Sequence, residues 1–161
     1  MRQMTADLRV TSDTRNVPIG LISKALDIPG IDFVSLQKGD PAESDLLGLE
    51  GSFWKTARLI NAASEIGDFA DTAGLIANLD LVISVDTATA HLAAALGEPT
   101  WIMNRHETCW RWLLDRSDSP WYLSVKLYRQ TAESNWRLVL ERVAMDLRHW
   151  RDSFHLSRKP F

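Results

Sequence analysis

The residues best suited to chemistry form one run, Ser84-Val85-Asp86-Thr87-Ala88-Thr89-Ala90-His91. It joins a β-branched apolar stretch to an alanine-rich one, so a strand is expected to pass almost directly into a helix. The first backbone N–H groups of a helix have no internal partner and carry the positive end of its dipole, which favours phosphate or another anion. Thr87 and Thr89 would add hydroxyl donors there, while Ala88 and Ala90 keep side-chain bulk low. His91 lies four residues after Thr87, so both can share one side of the first turn. A plainer reading stands beside this one: Asp86 or Thr87 caps the helix, and His91 is a satisfied, half-buried histidine.

Gln37 and Lys38 end another predicted strand and should reach the same edge, where they could contact a base, ribose or phosphate, or form a solvated loop. Trp110, Trp112, Trp121 and Tyr122 could stack on a base or sugar ring, or fill a core. Arg111 and Arg116 could neutralise phosphate, or be surface charge. His106, Glu107 and Cys109 do not match a metal motif, and no metal is expected. Ser84 and His91 do not sit in a nucleophile elbow, and no G-x-G-x-x-G follows a predicted strand.

The elements that must position these residues alternate. The pattern predicts a helix over 19–26, stopped by Pro29-Gly30, and a buried strand over 31–36. A loop follows at 37–40, then a short helix over 41–49 and a strand over 58–62. Asp71 is expected to cap a helix running to Leu79. A central strand at 81–85 leads into a helix over 88–96, ended by Gly97 and Pro99. Strands are expected at 100–103 and 125–128. The last helix, 135–151, buries a stripe of Trp136, Leu140, Val143, Leu147 and Trp150. The fold class is therefore α/β, a Rossmann-like, mostly parallel sheet with helices on both faces, and ligands belong at its C-terminal edge. The expected organisation is a degenerate N-terminal segment at 1–16, the sheet domain at 17–150 and a tail at 151–161, with 6–10 an unconvincing strand.

Composition narrows the classes. The chain has 161 residues, 45% apolar and 24% charged, which suits one globular domain rather than a disordered chain. A net charge of −3 gives no basic field for a nucleic acid backbone. No apolar run approaches the roughly 18 residues of a membrane span, and the start lacks a signal-peptide core. One cysteine cannot form an internal disulfide, so a reducing, cytoplasmic setting is expected.

The stretch DFADTAGLIANLDLVISVDTATAHLAAALGEPTWIM (68–103) resembles the donor-binding half of glycosyltransferase family nine, the ADP-heptose:lipopolysaccharide heptosyltransferases. WRWLLDRSDSPWYLSVKLYRQ (110–130) and FVSLQKGD (33–40) resemble the branch of bacterial proteins in which this domain is joined to tetratricopeptide repeats. The resemblance covers most of 17–147. It implies a GT-B fold, two Rossmann-like domains across a cleft, of which this would be the C-terminal, nucleotide-sugar-binding one. The family's Asp-Thr-Gly-x-x-His element falls on Asp86, Thr87, Ala88 and His91, where the helix start holds the donor diphosphate. Ala88 replaces the glycine of that element. The family's Gly-Asn-Pro element is absent, with only Ser12-Asp13-Thr14-Arg15-Asn16 in its place. The acceptor domain, with the proposed general base, is missing, so no catalytic residue is assigned here. What the resemblance implies is metal-independent sugar transfer from a nucleotide diphosphate, with no cofactor, in partnership with an acceptor domain or tetratricopeptide-repeat segment. The alternative is a non-catalytic relic that packs on a partner, or on its own copy, through its Trp-rich surface.

Overall fold

A computed structural model describes residues 3–7, 17–39, 44, 55–62, 65–131 and 135–157. The strands are β1 (Gln3–Asp7), β2 (Asp32–Ser35), β3 (Arg58–Asn61), β4 (Leu79–Val85), β5 (Thr100–Asn104) and β6 (Val125–Arg129). The helices are α1 (Ile19–Leu26), α2 (Phe69–Ile76), α3 (Ala88–Ala95) and α4 (Trp136–Ser157), with a 3-10 turn at Trp110–Trp112. The strands form one sheet in the order β3-β2-β1-β4-β5-β6, every neighbouring pair parallel. This is the order of a doubly wound dinucleotide-binding sheet, whose ligand crevice opens where the connections diverge, between β1 and β4.

β4 is apolar because both of its faces are covered. Leu81, Ile83 and Val85 face one core, which takes in Ile22 and Leu26 of α1 and Leu140, Val143 and Leu147 of α4. Val82 faces the other way, against Val34, Ile76 and Ala93. The residues that α3 buries are small: Thr89, Ala90, Ala93 and Ala94. That lets the helix backbone approach closely. α4 is further fixed by Asp146, whose carboxylate accepts from Lys126 Nζ at 2.7 Å and from the Tyr128 hydroxyl at 2.8 Å. Burial raises the Asp146 carboxyl, but these two donors outweigh it and hold it below its ordinary range.

Four sequence expectations change. Gln3–Asp7, rather than 6–10, forms a strand, and it lies in the middle of the sheet between β2 and β4. α2 is capped by Asp68, whose carboxylate accepts from Ala70 N at 2.7 Å and Asp71 N at 3.0 Å. Asp71 is the third helical residue and returns a bond to the Asp68 amide, closing a capping box. Gly67 leaves room for it, since a Cβ there would sit 2.9 Å from the Asp71 carboxylate. α2 stops at Ile76, and Leu79 already belongs to β4. α4 runs on to Ser157, because no helix breaker follows until Pro160. The predicted helix 41–49 lies outside the described residues, apart from Ser44, as does the Ser12–Asn16 remnant.

Asp27, just after α1, gathers the approach to β3. It accepts from the backbone N–H of Lys55, Thr56 and Ala57 at 2.8–2.9 Å and from the Thr56 hydroxyl. Burial pushes this carboxyl up, but the bonds from Ala57, Thr56 and Lys55 outweigh it and hold it at about 2. A carboxylate depressed in the fold contributes stability above its unfolded value near 4, and that contribution is lost as pH falls through the folded value. Asp27→Asn is therefore expected to melt lower than the parent at pH 7, with the gap closing between about pH 4 and pH 2. Melting curves across that window check it, and a gap independent of pH would count against the carboxylate's role. Asp68→Ala should cost about 1 kcal/mol through loss of the α2 cap, read by urea unfolding.

Candidate functional site

The chain passes from β4 to α3 through two residues, Asp86 and Thr87. Because β4 is locked on both faces, the start of α3 is fixed at the crevice beside β1. Thr87 is the N-cap, extended at φ −134°, and its hydroxyl accepts from Ala90 N at 3.3 Å. The Ser84 hydroxyl donates to the Val85 carbonyl at 2.9 Å and lies 3.0 Å from the Thr87 hydroxyl. With the Ser84 proton so placed, the Thr87 proton is the one that points to Ser84. Thr87 thus shapes the turn instead of presenting a donor to solvent. Thr89 is buried. The His91 amide returns to the Thr87 carbonyl at 3.2 Å. Among the described residues, none accepts from the amides of Ala88 and Thr89, and the Ala88 side is exposed. These two N–H groups and the helix dipole are what an anion would meet.

His91 is half-buried and contacted all round. Its Nε2 lies 3.5 Å from the Asp86 carboxylate and its Nδ1 3.2 Å from the Tyr122 hydroxyl. Its ring stacks on Trp112 at 5.0 Å between centroids and 19° between planes. Asp86 and His91 are thus brought together, with Thr87 capping the helix between them.

Gln37 and Lys38 lie at the same edge but one strand further out, with β1 between them and the β4–α3 turn. The Lys38 ammonium donates to the Ile66 carbonyl and ties the end of β2 to the approach to α2. Gln37 is buried, and among the described residues neither atom of its carboxamide has a hydrogen-bond partner. Asn104, at the end of β5, is in the same condition. Nothing in the sequence marks these burials, since a carboxamide after a strand reads as solvated.

The aromatic cluster divides. Trp112 is fully buried and Tyr122 half-buried, both against His91, whereas Trp110 is 70% and Trp121 59% exposed. The Arg111 guanidinium lies over Trp110, 5.3 Å from the ring centroid, and Arg116 grips Asp118 with two bonds of 2.7 and 2.8 Å. Both arginines are engaged within their own loop. Among the described residues, no group of three or more His, Cys, Asp and Glu could hold a metal ion. No described helix is long and apolar enough to cross a membrane.

Residues 64–102, which span α2, β4, α3 and the site turn, match the sequence profile of glycosyltransferase family 9 (heptosyltransferase). This segment belongs to glycosyltransferase family 9. The chain is 34% identical over 136 residues to protein FlbA of Caulobacter vibrioides, covering 81% of this chain and 22% of FlbA. Its fold is similar to that of E. coli heptosyltransferase WaaC, solved with ADP-2-deoxy-2-fluoro heptose. There the TM-score is 0.63 at 20% identity, covering 92% of this chain and 43% of WaaC. E. coli ADP-heptose lps heptosyltransferase II superposes with a TM-score of 0.55 at 18% identity, covering 92% of this chain and 47% of that enzyme. A family 9 glycosyl transferase from Veillonella parvula also scores 0.55, over 80% of this chain and 35% of its own length. The chain thus spans about a fifth of its curated relative and under half of each of these enzymes.

A buried carboxamide without partners costs free energy that an apolar side chain of similar size does not. Gln37→Met and Asn104→Leu are therefore each expected to raise the unfolding free energy, by about 1 kcal/mol. Chemical denaturation of the unliganded chain measures this, and a loss of stability in both variants would contradict it.

Proposed function

We propose that the chain is the nucleotide-diphosphate-sugar-binding domain of a GT-B, heptosyltransferase-like glycosyltransferase. The observation that carries this is the two open amides at the start of α3, placed at the divergence of a doubly wound sheet with Asp86 and His91 beside them. In this reading the donor diphosphate rests on the Ala88 and Thr89 N–H groups. The helix dipole and a hydrogen on His91 stabilise the charge that grows on the leaving diphosphate. Ala88, small and exposed, permits close approach. Thr87 holds the turn open, and Gln37 lines the crevice from the β2 side. Lys38 acts through its clamp on Ile66 rather than as a direct phosphate ligand. The nucleotides named in the solved WaaC structures make ADP and ADP-sugars the first ligands to try. The domain's share of the reaction is electrostatic and needs no metal. An acceptor domain, or a tetratricopeptide-repeat segment, supplies the other wall of the cleft. The setting is the cytoplasm, where nucleotide sugars are made.

A second reading, a non-catalytic module that packs on a partner or on its own copy, is favoured by one observation. Trp110, Leu114, Trp121 and Leu123 are all more than half exposed, on one loop. Calorimetry with ADP, UDP, GDP and their sugars separates the two. Micromolar binding that weakens at least tenfold in His91→Ala supports the donor site; absence of binding to every nucleotide supports the packing module. Mixed with donor and acceptor sugars, this domain alone is expected to show no transfer, and turnover would refute the division of labour between domains.

A further inference from the structure

Three groups fix the His91 ring, and two of them come from one distant loop. The Asp86 carboxylate can only accept, so the facing Nε2 carries a hydrogen. In a neutral ring Nδ1 is then a lone pair, and the Tyr122 hydroxyl 3.2 Å away is its donor. Trp112 supports the ring face from below. The loop bearing both aromatics is itself clamped. Arg129 at the end of β6 donates Nη2 to the Trp112 carbonyl at 2.5 Å and Nε to the Arg116 carbonyl at 2.9 Å. The Trp121 indole donates to the Arg111 carbonyl at 2.9 Å, and Leu127 N donates to the Ser117 carbonyl at 2.7 Å. Within this clamp Leu113 and Asp115 are held at φ of 55° and 54°, a left-handed conformation that side chains rarely adopt. Such strain persists where the surroundings over-determine it, and here it lies directly beside the residue stacked on His91.

We infer that Tyr122 and Trp112 are positioning residues that hold the His91 ring with its Nε2–H turned to Asp86 at the start of α3. The inference rests on the donor-site reading, because it gives the tautomer a purpose. With hydrogen on Nε2, the ring meets the Asp86 carboxylate with a donor; with hydrogen on Nδ1, it would turn a lone pair toward that carboxylate and any incoming phosphate. Asp86, which can only accept, selects between these, while Tyr122 on Nδ1 and Trp112 against the ring face keep the ring from turning or tilting away, without touching the ligand. The loop at 110–122 thereby belongs functionally to the β4–α3 turn, although 31 residues separate His91 from Tyr122.

The test uses the whole chain with 15N-labelled histidine. Long-range proton–nitrogen correlation spectra report which imidazole nitrogen of His91 carries hydrogen, with assignment by loss of the signal in His91→Ala. The parent is expected to show the Nε2–H form. Tyr122→Phe, which removes one oxygen and keeps the ring, should leave the hydrogen on Nε2 and move the Nδ1 resonance downfield, to the position of an imine nitrogen that accepts no hydrogen bond. It should also weaken ADP three- to tenfold, the loss of about one hydrogen bond, with little change in melting temperature. An Nδ1 resonance unchanged in Tyr122→Phe overturns the inference, whatever the affinity. If the parent binds no ADP, UDP or GDP while the Nδ1 resonance still shifts, the donor reading falls and the positioning of His91 by Tyr122 stands.

Discussion

Burial of β4 on both faces is the constraint from which the rest follows. A strand enclosed by α1 and α4 on one side and by α2 and α3 on the other cannot slide or rotate without exposing apolar side chains. Its last residue is therefore a fixed point. Two residues later α3 begins, with Thr87 bonded forward to Ala90 and back to Ser84. The free amides owe their position to this rigidity: they are carried by the core rather than by a loop. The cost is local, since the hydroxyl best placed to meet a phosphate is committed to building the turn.

The second support of the site is less economical. Where the β4–α3 turn is held by apolar burial, the loop at 110–122 is held by polar clamps at exposed or half-exposed positions. Burial lowers the affinity of the Arg129 guanidinium for its proton, yet its bonds to the Trp112 and Arg116 carbonyls occupy the groups that would otherwise be left dry. Trp112 then transmits the geometry of that clamp to His91 by ring stacking.

The parts legible in the sequence are those whose signal is local. α1 appears at Ile19–Leu26 as its periodicity predicts, and the apolar run before Asp86 yields the β4–α3 junction. Gly97 ends α3 at a φ of +81°, the left-handed position glycine favours. What could not be read depends on partners distant in the chain. QMTAD has no strand-like apolar run, and its place is set by ladders on both sides. The Asp68 cap was hidden by a second aspartate three residues on, which reads equally well as a cap until the returned bond is seen. Gln37 looks solvated in sequence because nothing local announces the layers that close over it. The pairing of Tyr122 with His91 leaves no local trace: Trp110 is exposed and Trp112, two residues on, is buried, so spacing alone does not say which aromatic turns inward.

The arrangement of β1 has a consequence for how the chain comes to be folded. Met4 must pair with Leu81, and Thr5 with Val82, partners more than seventy residues downstream. Pairings so remote close slowly, because a long stretch of chain must first surrender its freedom. During synthesis the middle of the sheet cannot zip until α2 and β4 have left the ribosome, and until then β1 waits with an open edge toward the place β4 will take.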